Sequence, residues 1–262
     1  MQNTGGQAPE PGSRGKKIFL LYPHSVIHDQ MLNILIMSGF ETYTLGDHKR
    51  AIKILEMFPD SIVFINIDER LNEKEWETYI RNLMESPKTK TVKIGILSYN
   101  QDIKLMEKYL MDISVPCGYV QLKLGINEST KIILGALEAN EARGMRKNIR
   151  AFCEDDNNAN LNFKEKNSLY KGKILDISSA GLAAKIPDVI EIAVNSVIKE
   201  IQLKLHGVLI MTDMVFMGKR RDNKEICIML FDPAKLEQNH KIAIYQFIKQ
   251  SLQRYIDHLK TG

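Results

Sequence analysis

The sequence predicts two domains, an α/β domain followed by a β domain, and three observations carry that prediction. The chain has 262 residues, more than one core of ordinary size takes at about 100–200 residues per domain. From Lys16 to Asn140 short apolar runs alternate with segments of helical spacing, whereas from residue 160 to 231 apolar runs follow one another across short turns. Hydrophobic residues at 44% and charged residues at 26% are globular values, which exclude a largely disordered or disulfide-stapled chain.

In the first domain the candidate strands are residues 18–22, 41–45, 61–67, 93–99 and 118–123. Between and after them lie five helical spacings. The first is Ile27, Met31, Ile34 and Leu35; the second is Ile52, Ile54, Leu55 and Phe58. Trp76, Ile80, Leu83 and Met84 mark the third, Leu105, Tyr109 and Leu110 the fourth, and Ile132, Ile133 and Leu137 the last. Continuous apolar strands separated by helices predict a parallel sheet covered on both faces, a flavodoxin-like (βα)5 domain over residues 16–140. Residues 1–15, rich in Gly, Pro and Gln, read as a flexible tail without the apolar core of a secretory signal.

The pattern changes after Asn140, where EARGMRKNIRAF is basic and lacks an apolar stripe. Residues 141–262 form the second domain. Its strand candidates are 160–166, 171–178, 181–186, 196–205, 208–218 and 225–231, which predict a six-stranded antiparallel barrel or sandwich. A C-terminal helix follows, with Ile242, Ile244, Tyr245, Ile248, Leu252, Tyr255, Ile256 and Leu259 on one side. The methionines between 208 and 230 read as barrel filling.

Two short pieces carry chemistry. Arg146-Lys-Asn-Ile-Arg150 places two arginines four apart, about 13 Å if the segment is extended and roughly 6 Å if it is helical. Their planar forks match phosphate oxygens and the O6/N7 edge of guanine in bidentate fashion. Asp176-Ile-Ser178-Ser-Ala-Gly181 ends a strand whose period of two puts Ile174, Asp176 and Ser178 on one face, so a carboxylate and a hydroxyl project together. Gly181 then permits a positive φ or a close approach to the backbone. Taken singly, the arginines also read as solvated charge and the second piece as an ordinary turn after a strand.

In this order, at the entrance of a six-stranded β domain, the two pieces resemble the PilZ-domain signature, RxxxR followed by (D/N)xSxxG, over about residues 141–259. The resemblance implies a non-enzymatic receptor for cyclic di-GMP, with no further cofactor and no metal. By it, Arg146 and Arg150 hold phosphate and guanine, Asp176, Ser178 and Gly181 form a ledge for a base, and Arg143 stands near enough in sequence to add a contact. Met145, just before the first motif arginine, is placed to influence whether one or two ligand molecules bind.

The first domain resembles the receiver domain of response regulators but lacks its acids. Tyr22-Pro23-His24-Ser25 follows the first strand without a carboxylate, and Asn66 aligns with the phosphoryl acceptor. Ser98 and Lys123 match the family's hydroxyl and lysine, while Leu124 replaces the proline. The expectation is a pseudo-receiver used for contact with a protein partner, with Asp68 reaching the acceptor position only through a two-residue slip in register.

Weaker candidates are His24 and His28 as metal ligands, for which no third ligand is evident, and Lys219, Arg220, Arg221 with Lys224, which read as a charged hairpin turn rather than a nucleic-acid contact. The three cysteines are widely spaced and read as packing residues. No apolar stretch approaches the roughly 20 residues of a membrane span, so a cytoplasmic protein is expected. The net charge of +4 is uneven: residues 1–140 hold 16 basic and 17 acidic residues, and residues 141–262 hold 20 and 15. A basic second half points to an anionic partner. The combined expectation is an effector that turns cyclic di-GMP binding into a change of domain arrangement and controls motility or another surface behaviour. Its rivals are a phosphorylation-controlled adaptor and a nucleic-acid binder.

Overall fold

A computed structural model describes residues 15–25, 28–166, 168–186 and 191–260. The expected tail, Gly15 excepted, and Ile27 of the first predicted helix lie outside the described residues. The chain divides into two compact units, one of Met1–Lys147 together with Ile256–Gly262 and the other of Asn148–Tyr255.

The first unit contains five parallel strands, β1 (Lys17–Leu21), β2 (Thr42–Leu45), β3 (Ser61–Asn66), β4 (Lys93–Ser98) and β5 (Tyr119–Gln121), in the order β2-β1-β3-β4-β5. Helices α1 (His28–Met37), α2 (His48–Met57), α3 (Glu73–Glu85), α4 (Ile103–Glu107) and α5 (Ile126–Ala139) complete the (βα)5 alternation. All six residues of β3 are buried, as expected of a central parallel strand covered on both faces. The third helix shows how the sequence sets an element. Asn72 and Glu75 form a reciprocal capping box at its start, and Trp76, Tyr79, Ile80 and Leu83 bury one face.

Two local expectations differ. The predicted fourth helix is short and continues through Lys108–Asp112 as a π turn. The predicted strand 118–123 shrinks to three residues, because β4 pairs only with Tyr119–Gln121 and the chain then tightens into a 3-10 turn at Leu122–Leu124.

The second unit is a closed antiparallel barrel. Its strands are β7 (Ala159–Glu165), β8 (Ser168–Ser178), β9 (Gly181–Lys185), β10 (Ser196–Leu205), β11 (Val208–Lys219) and β12 (Ile226–Phe231). They run in the order β8-β7-β10-β11-β12-β9, and the pairing of β9 with β8 closes the ring, leaving no open edge among the six. Ile174, Ile177, Leu203, Ile210, Met214 and Met229 are among the buried residues that fill it. A three-residue strand, β6 (Arg150–Phe152), is added outside β8. Sequence reasoning read it as linker, since three residues show no periodicity and the strand exists only through its partner.

The C-terminal helix α6 (Gln238–Asp257) buries Ile244, Phe247, Ile248 and Leu252. Ile242 and Tyr255, expected on that face, are exposed, and Phe247, not expected, is buried. The methionines split likewise: Met214 and Met229 point inward, whereas Met211 and Met217 are exposed on the outer face that alternation assigns them. No helix of the described residues is long and apolar enough to cross a membrane.

Candidate ligand-binding site

Strand pairing brings Arg150 to the end of β8. In the β6–β8 register Arg150 lies opposite Ser178 and Phe152 opposite Asp176. Two positions away on the same face is the diagonal neighbour in an antiparallel pair, within reach of a long side chain. Accordingly the Arg150 Nη1 donates to Asp176 Oδ1 at 2.8 Å. The arginine side chain stays 42% exposed and the carboxylate 16%, so the pair faces solvent at its guanidinium end.

The strict alternation expected along β8 does not hold. Its register against β9 shifts between Ile174 and Asp176, and Ile174 and Ile177, three apart, are both fully buried. A bulge absorbs the extra residue and turns Ile174 inward, off the face of Asp176. Asp176 is thus aimed outward by the irregularity.

Ser178 is 4% exposed and its hydroxyl is committed to the turn. Its Oγ donates to the Gly181 carbonyl at 3.1 Å and accepts from the Ala180 N–H at 3.3 Å. The serine therefore shapes the ledge from beneath. Gly181 is required by packing rather than by φ, which is not in the left-handed region. A Cβ there would meet the Met229 carbonyl oxygen at 2.2 Å and Leu230 Cα at 2.9 Å, so the close approach is that of β12.

One residue of the site was not foreseen. Asn148, between the two motif arginines, accepts a hydrogen bond through Oδ1 from Ser179 Oγ at 3.1 Å, joining the interiors of the two motifs. The only sequence signal was its position inside RxxxR.

Arg146 lies two residues before the division between the units. It is exposed and makes no hydrogen bond or ion pair with a described residue, while Met145 beside it is 85% exposed. Arg143 is committed within the first unit: Nη1 donates to the Ser38 carbonyl at 2.9 Å, the guanidinium lies 4.8 Å from the Phe40 ring centroid, and Glu138 is 3.6 Å away. The structure therefore assembles Arg150, Asp176, Ser178 and Gly181 in one unit, with Arg146 four residues upstream along the chain.

Two of the cysteines are held in their unreactive form by burial. Burial pushes the Cys153 thiol up to about 12 and the Cys117 thiol up to about 11, which keeps both protonated at neutral pH. Among the described residues no three His, Cys, Asp or Glu side chains gather as a metal site. His24 packs edge-on to Tyr99 at 4.9 Å, and His28 lies 3.8 Å from Asp29.

The receiver-like positions are used for bracing. Asn66 is fully buried at the end of β3, its Nδ2 donating to the Tyr22 carbonyl at 2.9 Å. Asp68 lies beyond the strand, and its two carboxylate oxygens accept from Ser98 Oγ and the Tyr99 N–H, each at 2.6 Å. Lys123 reaches Gln101 at 3.3 Å. In the β11–β12 turn Arg220 pairs with Asp222, consistent with a charged hairpin.

No family model and no curated protein matches the chain. Solved structures do resemble its C-terminal part. The PilZ domain with c-di-GMP of YcgR from Escherichia coli is 17% identical at a TM-score of 0.36, over 44% of this chain and 99% of that one. The Bacillus subtilis inhibitor of motility, MotI/DgrA, is 15% identical at 0.33, over 44% and 53%. The Borreliella burgdorferi PlzA protein in complex with c-di-GMP is 13% identical at 0.29, over 47% of each. The chain thus spans about half the length of the latter two. The likeness concerns fold.

Proposed function

We propose that the chain is a non-enzymatic receptor for cyclic di-GMP, which binds to Arg150, Asp176, Ser178 and Gly181 of the second unit and to Arg146 just upstream of it. The observation that supports this most is the Arg150–Asp176 pair: a guanidinium and a carboxylate held 2.8 Å apart, outward, on a strand end shaped by Ser178 and Gly181. A cyclic dinucleotide carries two phosphates, which take arginine forks, and two guanines. The guanine Hoogsteen edge offers acceptors to arginine, and its opposite edge offers N–H donors to a carboxylate. A positive and a negative group side by side suit that mixed surface better than they suit a simple anion. Arg146, exposed and without a described partner, supplies the second fork.

Because the two arginines flank the division of the chain, ligand binding orders the segment between them. It thereby favours whichever arrangement of the units it contacts better, by no more than the difference in affinity. The receiver-like unit then presents a surface to a protein partner, in the bacterial cytoplasm where the second messenger is made. Control of motility is the output we infer, in keeping with a likeness to a protein named an inhibitor of motility. Titration calorimetry with cyclic di-GMP beside linear pGpG and GTP tests the reading. Preference for the cyclic ligand supports it, and equal or absent binding of all three refutes it.

A further inference from the structure

A concavity lies on the outside of the barrel, lined by none of the motif residues, and its lining is basic. Its volume is about 590 Å³ and it is lined by Asn160, Asn162, Lys171, Lys173 and Lys185, with Leu161 and Gly172. Strand register arranges the polar residues in two rows. Asn162 lies opposite Lys171 in one, and Asn160, Lys173 and Lys185 stand side by side in the other. Residues two apart on a strand are about 6.6 Å apart on one face, and neighbouring strands are about 4.8 Å apart. The three lysines therefore stem from neighbouring positions of one face, within side-chain reach of one or two phosphate groups.

Gly172, between the two lysines of β8, faces the interior: a Cβ there would meet Ile186 Cγ1 at 2.7 Å and the Lys185 carbonyl oxygen at 3.0 Å, so glycine lets β8 pack closely while Lys171 and Lys173 stay on the outer face. Two lysines are already steadied, Lys173 by Asn157 Oδ1 at 3.2 Å and Lys185 by Glu225 at 3.1 Å, which lowers the entropy lost when a ligand orders them. Lys171 makes no hydrogen bond or ion pair with a described residue. Asn160 spends one amide hydrogen on the Asn157 carbonyl, leaving its oxygen and second hydrogen. With Glu225 as the one opposing carboxylate paired to the three lysines, the shelf carries a net charge of about +2, which complements a di- or triphosphate.

The geometry points to a second, separate site on β7, β8 and β9 that takes a compact phosphate-bearing anion such as the polyphosphate chain of a nucleotide. This goes beyond the cyclic di-GMP reading and does not depend on it, since no residue is shared. The test is calorimetry of the full chain with tripolyphosphate at low ionic strength. Saturable binding is expected, weakened about tenfold or more in the double variant Lys171→Gln with Lys173→Gln, since two charge-assisted contacts are lost. Cyclic di-GMP affinity stays within about twofold in that variant, and Arg150→Ala leaves tripolyphosphate binding unchanged. Equal binding by the double variant, or citrate binding as tightly as tripolyphosphate, overturns the assignment. So does binding only to a single-stranded oligonucleotide or only to phosphatidylglycerol vesicles, because the occupant is then a polymer or a lipid surface.

Discussion

Replacing Arg150 with alanine separates the two jobs its guanidinium does. In the free protein it neutralises Asp176, but the pair is open to solvent on the arginine side, 42% exposed against 16% for the carboxylate. Exposed pairs of this kind contribute roughly 0–1 kcal/mol, so folding stability falls by about that much and no more. In the proposed complex the same group would make charge-assisted hydrogen bonds to the ligand, each set worth about 2–3 kcal/mol, so its removal is expected to weaken binding roughly 30- to 150-fold. Losing the arginine also leaves Asp176 without its 2.8 Å donor, so a negative charge faces an anionic ligand and adds to the loss. Arg150→Lys restores the charge without the fork and recovers only part of it. The assay is calorimetry at fixed salt, with urea unfolding of each variant beside it. An affinity within twofold of the parent for Arg150→Ala, at unchanged stability, refutes the reasoning.

Gly181→Ala drives a methyl group toward the Met229 carbonyl, and the strand must move, so urea unfolding shows a loss of about 1–3 kcal/mol or more whether or not ligand is present. Asn148→Ala removes the hydrogen bond from Ser179, costs about 1 kcal/mol, and is expected to weaken cyclic di-GMP several-fold, while Asn148→Ser, whose hydroxyl falls short of the position Asn148 Oδ1 holds, rescues little; calorimetry reads both. Asp156 gives the barrel an acid-sensitive contact. Burial raises its pKa, but the hydrogen bond to His206, with further bonds to the Asn158 N–H and Arg254, outweighs this and holds the carboxyl below its ordinary value. A group depressed in the folded state contributes stability above its unfolded pKa of about 3.9, and that stability is lost as pH falls through the folded value. Urea midpoints between pH 7 and pH 3 therefore drop more steeply in the parent than in Asp156→Asn.

Much of the architecture was legible because it rests on long periodic segments. The alternation of continuous apolar runs with amphipathic helices gave the parallel sheet, and the six runs after residue 160 became the six barrel strands with bounds shifted by a few residues at most. What stayed hidden depends on partners distant in sequence. The strand at Arg150–Phe152 exists only because β8 pairs with it, and that pairing, not the spacing of RxxxR, carries Arg150 to Asp176. The bulge after Ile174 has no signature in the order Ile-Leu-Asp-Ile, all of which fit a regular strand. Gly181 was recognisable as special, yet the reason lies in β12, some 50 residues away. That the Ser178 hydroxyl donates to the Gly181 carbonyl, and that the Asp68 carboxylate accepts from Ser98 Oγ and the Tyr99 N–H at the end of β4, only hydrogen-bond geometry reveals.

The most direct measurement is the structure of the full chain crystallised with cyclic di-GMP. Both arginine forks, from Arg146 and Arg150, should lie on the phosphates or the Hoogsteen edge of one dinucleotide, with a guanine N–H on Asp176. A ligand seated elsewhere on the barrel, or density for it at neither arginine, contradicts the account.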